Sequence, residues 1–178
     1  MKRVRINNLV LASLFVGIGI VLPIFFHAAG LGPVFLPMHI PVMLSGYFLP
    51  IPLALAVGIF TPILSSLLTG MPPILPVPPY MIFESATYAF LTSLLYRKMK
   101  LNVYVSLIPS MIGGRVVSGL TVWVMLTFFS VKLPIFFVFM YSSFLKGLPG
   151  VIVQIILIPL LVKFVERSYL DEKLTGIF

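Results

Sequence analysis

The stretch Leu9-Val10-Leu11-Ala12-Ser13-Leu14-Phe15-Val16-Gly17-Ile18-Gly19-Ile20-Val21-Leu22-Pro23-Ile24-Phe25-Phe26 decides the fold. It carries no charge. As a helix it would be roughly 27 Å long, close to the ~30 Å hydrocarbon core of a bilayer. The rest of the chain has the same character. Its 178 residues are 60% hydrophobic and 9% charged, with a mean hydropathy of +1.18. Too few polar residues remain to coat a soluble domain, so the bilayer must be the solvent. In lipid every backbone N–H and C=O has to be paired internally, which leaves helices or a closed barrel. The apolar segments are long and continuous, unlike the short alternating strands of a barrel. This excludes most soluble enzymes and nearly all nucleic-acid binders.

Working outward, the chain divides into six apolar helices with short connections, all within one integral membrane domain over 1–178. The predicted spans are 8–26, 38–49, 53–69, 80–96, 103–128 and 143–165, the last best defined from Gly147 to Val165. Pro41 falls in the first turn of the second, where a missing N–H costs little. Pro50-Ile51-Pro52 makes a tight break, and Pro62 is expected to kink the third helix. Gly70-Met71-Pro72-Pro73-Ile74-Leu75-Pro76-Val77-Pro78-Pro79 is too proline-rich for helix and reads as a semi-rigid extended loop. A break is expected around Lys132 and Pro134, and a polar tail after the sixth helix. No repeat stands out. The chain has no cysteine, which removes disulfides, thiolate metal sites and cysteine nucleophiles. Lys2, Arg3 and Arg5 before the first apolar run, with Ala28-Ala29-Gly30 after it, have the outline of a cleaved signal. The run is longer than a usual signal core, so a retained first helix is expected.

Charge sets the orientation. The net charge of +8 is read as topology and contact with anionic lipid rather than nucleic-acid binding. Lys2, Arg3 and Arg5 precede the first helix. Arg97, Lys98 and Lys100 lie between the fourth and fifth. Lys163, Arg167 and Lys173 close the chain. With six crossings all three clusters fall on one side, which the positive-inside rule makes the cytoplasm. Both termini are then cytoplasmic, and the loops after helices one and three face outward.

Few residues can carry chemistry. Glu84 is the only acid before Glu166 and lies roughly 6 Å into the fourth helix. An ionisable group inside a span is a functional candidate by default. Arg115 follows Gly113-Gly114, roughly 18 Å along the fifth helix, within reach of Glu84 if the two helices are neighbours. Paired, the two make a neutral site that need not hold an ion. A free Arg115 would favour a carboxylate. Both readings stay open, as does plain helix packing. Tyr80, Phe83 and Tyr88 lie near Glu84 in sequence and are candidate walls for a flat apolar ring, against the plainer reading of an interfacial aromatic belt. His39, His27, Asn102 and Gln154 are the other polar candidates, with structural hydrogen bonding the competing reading. No metal-ligand spacing, activated nucleophile or phosphate-cradling loop appears, so no metal or cofactor is implied and the chain does not hydrolyse ATP itself. On the first helix Ala12, Ser13 and Gly17 are small, and Ser13 and Gly17 are four apart, a spacing that lets a second helix approach closely.

These features together are familiar. The first helix has small residues four apart. The run Met38-His39-Ile40-Pro41-Val42-Met43-Leu44-Ser45-Gly46-Tyr47-Phe48-Leu49-Pro50 follows, then Gly58, Ser65-Ser66-Leu67-Leu68-Thr69-Gly70 and Phe83-Glu84-Ser85-Ala86-Thr87-Tyr88 before a basic loop. The layout resembles the S components of energy-coupling factor (ECF) transporters, which capture vitamins in the plasma membrane of prokaryotes. The resemblance implies six helices and a vitamin site near the outer face, capped by the loops after helices one and three. It implies a transmembrane T component and two cytoplasmic ATPases as partners. It also implies docking through small residues on helix 1, here Ser13 and Gly17, with Ala12 followed four later by the larger Val16. Riboflavin members commonly carry an Asp where this chain has His39. Glu84 lies where several members place a polar ligand contact.

The expectation is therefore a substrate-capture subunit that catalyses no bond chemistry. Its cargo is read first as riboflavin or another flat heteroaromatic vitamin, and next as a carboxylate vitamin such as pantothenate or niacin. The substrate contacts are expected from Glu84, Arg115, Tyr80, Phe83, Tyr88 and His39. A self-contained small transporter or channel is the rival class, since proline-broken helices and buried charge suit it too. A membrane-embedded enzyme would need more convergent polar groups than the chain supplies.

Overall fold

The computed structural model describes residues 6–70, 77–128 and 136–174. Among them every regular element is helical. The order is α1 (Ile6–Ala28), a single turn α2 (Gly32–Phe35), α3 (His39–Phe48), α4 (Ile51–Thr69), α5 (Val77–Thr92) continued by a π-helical turn (Ser93–Lys98), α6 (Val103–Phe128) and α7 (Phe136–Leu174). Four helices are long and apolar enough to cross a bilayer: Ile6–Ala28, Ile51–Thr69, Val103–Phe128 and Leu145–Ser168 within α7. By length and composition the chain has the helices of a multi-pass membrane protein.

The surface and interior are arranged for lipid. Leu14, Phe60, Leu67, Leu68, Ile112, Leu120, Trp123, Ile156 and Phe164 are exposed around the bundle, while Ser45, Thr61, Ser65, Ser85, Ser106 and Ser110 are buried within it. Hydrophobicity cannot drive helices together when the solvent is itself apolar, so small side chains and close backbone approach must do so. The packing shows this. A Cβ on Gly58 of α4 would come 2.7 Å from the Ser85 carbonyl oxygen of α5, and one on Gly46 of α3 2.8 Å from the Ala89 carbonyl oxygen. Buried hydroxyls turn back onto their own helices: Thr61 donates to the Val57 carbonyl at 2.7 Å and Ser110 to the Ser106 carbonyl at 2.6 Å. α5 thus becomes the centre of the bundle, flanked by α3, α4 and α6, with α1 outside α3 and α4, and α7 against α6 and α2.

Several boundaries differ from the sequence reading. α5 starts at Val77, inside the proline-rich segment read as loop. Pro78 and Pro79 occupy its first turn, whose N–H groups have no intrahelical partner in any case, so they do not block it. For the same reason α4 begins at Ile51, with Pro52 in its first turn, rather than at Leu53. The predicted fourth helix ends as a π turn and reaches Lys98. The loop after α1 contains the extra turn α2, and Gly32 is required there because any Cβ would enter the His27 ring. The last helix is 39 residues long, longer than 143–165, and the segment read as a polar tail is helical to Leu174. The expected break at Lys132 and Pro134, the residues Met71–Pro76, and Lys2, Arg3 and Arg5 lie outside the described residues.

The basic segments converge. Arg97, Lys100 and Lys163 line one cavity, which puts the α5–α6 connection and the α7 C-terminal half at the same end. Phe15, in the N-terminal half of α1, stacks on Phe48 at 6.2 Å, and Arg97 donates to the Phe48 carbonyl. The N-terminus of α1 therefore points to this end as well.

Candidate substrate-binding site

An α-helix returns to the same face every three to four residues. Tyr80, Glu84 and Tyr88, four apart on α5, therefore share one face, and it is turned into the bundle. Glu84 is 2% exposed. Its Oε1 lies 3.0 Å from Arg115 Nη1 of α6 and accepts a 2.6 Å hydrogen bond from the Tyr88 hydroxyl. The Tyr80 phenol is close enough to feel both charges. Gly114 admits this arrangement, since a Cβ there would collide with the Tyr88 ring.

Arg115 is less enclosed, with its side chain 23% exposed. A Cβ on Gly147 of α7 would stand 3.2 Å from its Nη2 and 3.1 Å from Leu36 Cδ1. The α1–α3 connection thus folds down beside the guanidinium. Leu36 ends α2 in the left-handed backbone region, with φ 49°, and its carbonyl accepts from the His39 N–H at 3.0 Å. The side-chain amide of Gln154, buried on α7, approaches the same oxygen at 3.5 Å.

His39 completes the cluster. Its ring meets Tyr88 edge-on, with centroids 5.0 Å apart. The side chain is buried, and neither Nδ1 nor Nε2 has a hydrogen-bond partner among the described residues. Leaving a buried polar atom unpaired ordinarily costs about 1–3 kcal/mol, and among the described residues His39 is the side chain with two such atoms.

The structure therefore gathers His39, Tyr80, Glu84, Tyr88 and Arg115. Phe83 stands apart, 56% exposed on the outside of α5, because the next residue along a helix lies 100° around it. Gly147 and Leu36 were not singled out from the sequence. Gly147 is legible there only as a small residue, and Leu36 only as part of a Gly/Pro-rich loop. His27 is a local structural residue whose Nδ1 bonds the Pro23 carbonyl at 2.8 Å. Asn102 accepts from the Val105 N–H at 2.8 Å, as a helix N-cap does. On α1 the small-residue candidates divide: Ala12 is buried and Val16 packs against the core, whereas Ser13 and Gly17 face outward. Among the described residues no group of three or more His, Asp or Glu is placed to hold a metal ion.

The sequence profile of the ECF transporter substrate-specific component matches residues 7–162. The chain belongs to this family. It is thus the substrate-binding S subunit of an ECF transporter and not an enzyme. No curated protein and no solved structure gives a significant match.

Proposed function

We propose that this S component captures a flat, uncharged heteroaromatic vitamin, with riboflavin the first choice, at the cluster around Glu84. The observation that carries the reading is the 3.0 Å Glu84–Arg115 pair. With both charges compensated, the site has no net charge to offer an ionic cargo. The unpaired nitrogens of His39 supply hydrogen-bonding capacity for a polar ring edge. Tyr80 supplies aromatic surface for its face, with Tyr88 fixing the Glu84 carboxylate behind it. A carboxylate cargo such as pantothenate or niacin is the second reading, favoured by the partial exposure of the Arg115 side chain.

The chain forms one domain that crosses the plasma membrane of a prokaryote six times, with both termini in the cytoplasm and the site opening outward under the α1–α3 connection. The common end of the basic segments supports this under the positive-inside rule. α3 is only 10 residues long, but it is buried on most sides, so its ends meet protein rather than lipid. Uptake is driven by a T component and two cytoplasmic ATPases, docked against the outward Ser13–Gly17 face of α1.

Titration of the purified chain in detergent tests the cargo. Riboflavin should bind saturably and lose its fluorescence, and pantothenate and niacin should give no heat by calorimetry. Binding of either acid without riboflavin would replace the first reading by the second.

A further inference from the structure

The opposite end of the bundle holds a cavity that the vitamin site does not use. It measures about 750 Å³, and its lining includes Tyr96, Arg97, Lys100, Tyr104, Lys163 and Glu166. We propose that this cavity is a site for the phosphate headgroup of an anionic membrane lipid.

Charge is the first argument. Three cations face one carboxylate, a net of plus two. None of the three forms an ion pair with a described residue. Glu166 is engaged instead by the Tyr96 hydroxyl, and Lys163 lies 5.7 Å over the Tyr104 ring. The N-terminus of α6 opens here too, through Asn102, Val103 and Tyr104, and a helix N-terminus favours an anion.

Backbone conformation is the second. Lys100 has φ 59°, the left-handed region, where the chain reverses after the π turn. Glycine takes that conformation without strain, and a lysine there is held against its preference. Met99 and Leu101 close the turn with N–H bonds to the Leu94 and Leu95 carbonyls at 3.0 and 3.1 Å. A strained residue with a charged side chain turned to a cavity points to use of that charge. The π turn agrees, since such turns are frequent at functional sites.

The surroundings choose the lipid over a free phosphate. Val105, Ile108 and Ile112 on α6 and Ile156, Leu160 and Phe164 on α7 are all exposed. They run from the cavity rim along the bundle, where acyl chains would lie with the headgroup inside the rim.

The test uses the full chain in neutral detergent, with binding of phosphatidylglycerol, phosphatidylcholine and glycerol phosphate followed by native mass spectrometry and thermal shift. Phosphatidylglycerol should bind in preference to phosphatidylcholine, more weakly at high than at low salt. Lys100→Gly removes a cation while relaxing the backbone, so the apo-protein should melt no lower. Its affinity for phosphatidylglycerol should still fall about fivefold, and roughly thirtyfold with Lys163→Gln added. Equal binding of the two lipids, salt-independent binding, or unchanged affinity in Lys100→Gly would overturn the proposal. Glycerol phosphate binding as tightly as the lipid would overturn the lipid assignment in favour of a soluble phosphate ligand. The salt measurement needs no variant, so poor folding of a mutant leaves the test intact.

Discussion

Glu84 and Arg115 meet at 3.0 Å across the interface of α5 and α6, and the Tyr88 hydroxyl bonds the same carboxylate oxygen at 2.6 Å. Each charge is affordable in the bundle only because the other is present. Removing one partner leaves an uncompensated buried charge, a loss of about 3 kcal/mol or more. Arg115→Met should therefore lower the melting temperature in detergent sharply. The double variant Arg115→Met/Glu84→Gln should recover much of the loss. Equal melting of the single and double variants would show that the pair is not coupled. Glu84→Ala should also reduce vitamin binding, and unchanged affinity would remove Glu84 from the site.

Adjacent glycines make a sharper comparison. A methyl group at Gly114 meets the Tyr88 ring, which cannot retreat without breaking its bond to Glu84. Overpacking of this kind costs about 1–3 kcal/mol. A methyl at Gly113 meets only the Leu91 Cδ1 tip, which can rotate away. Gly114→Ala should lower both stability and vitamin affinity, and Gly113→Ala neither by much. Melting curves and titrations on the two variants decide it.

Much of this was legible in the sequence. Glu84 and Arg115 stood out as the two ionisable groups of an apolar bundle, but whether they pair or leave Arg115 free depended on the placement of α5 against α6. Apolar length marked the long spans α1, α4 and α6, but not where α5 starts or α7 begins and ends. What could not be read was rotation and close packing. Phe83 looked like a site residue by proximity in the chain, yet it faces out, because sharing a helix face requires spacing of three or four. The contact of His39 with Tyr88 depends on α3 lying close against α5 at Gly46, a distance that no composition encodes. The start of α5 was hidden by Pro78 and Pro79, which suit a first turn as well as a loop. The π turn at Ser93–Lys98 leaves no mark in hydropathy, and neither does the left-handed Lys100.

His39 offers a test in which stability and function move apart. Phenylalanine keeps an aromatic edge against Tyr88 with a slightly larger ring, while removing two nitrogens that have no partner among the described residues. Relief of unpaired buried polar atoms favours the folded state by up to about 1–3 kcal/mol. His39→Phe should melt at or above the wild-type temperature and bind the vitamin more weakly. If the variant instead melts lower and keeps full affinity, His39 serves the scaffold and not the cargo.

The last prediction concerns α1, where two glycines two residues apart face opposite ways. A Cβ on Gly19 would press on Thr61 of α4, whereas around Gly17 nothing lies within 4 Å. Ser13, one turn before Gly17, turns its hydroxyl to the Leu9 carbonyl at 2.7 Å. That leaves a shallow strip of small residues beside the ridge of Leu14 and Ile18, both exposed. Such a strip admits another helix closely. Gly19→Leu should therefore destabilise the isolated subunit. Gly17→Leu should leave its melting temperature and vitamin affinity within error, yet reduce co-purification of the T component and ATPases from the membrane. Full recovery of the complex with Gly17→Leu would move the docking surface off this face of α1.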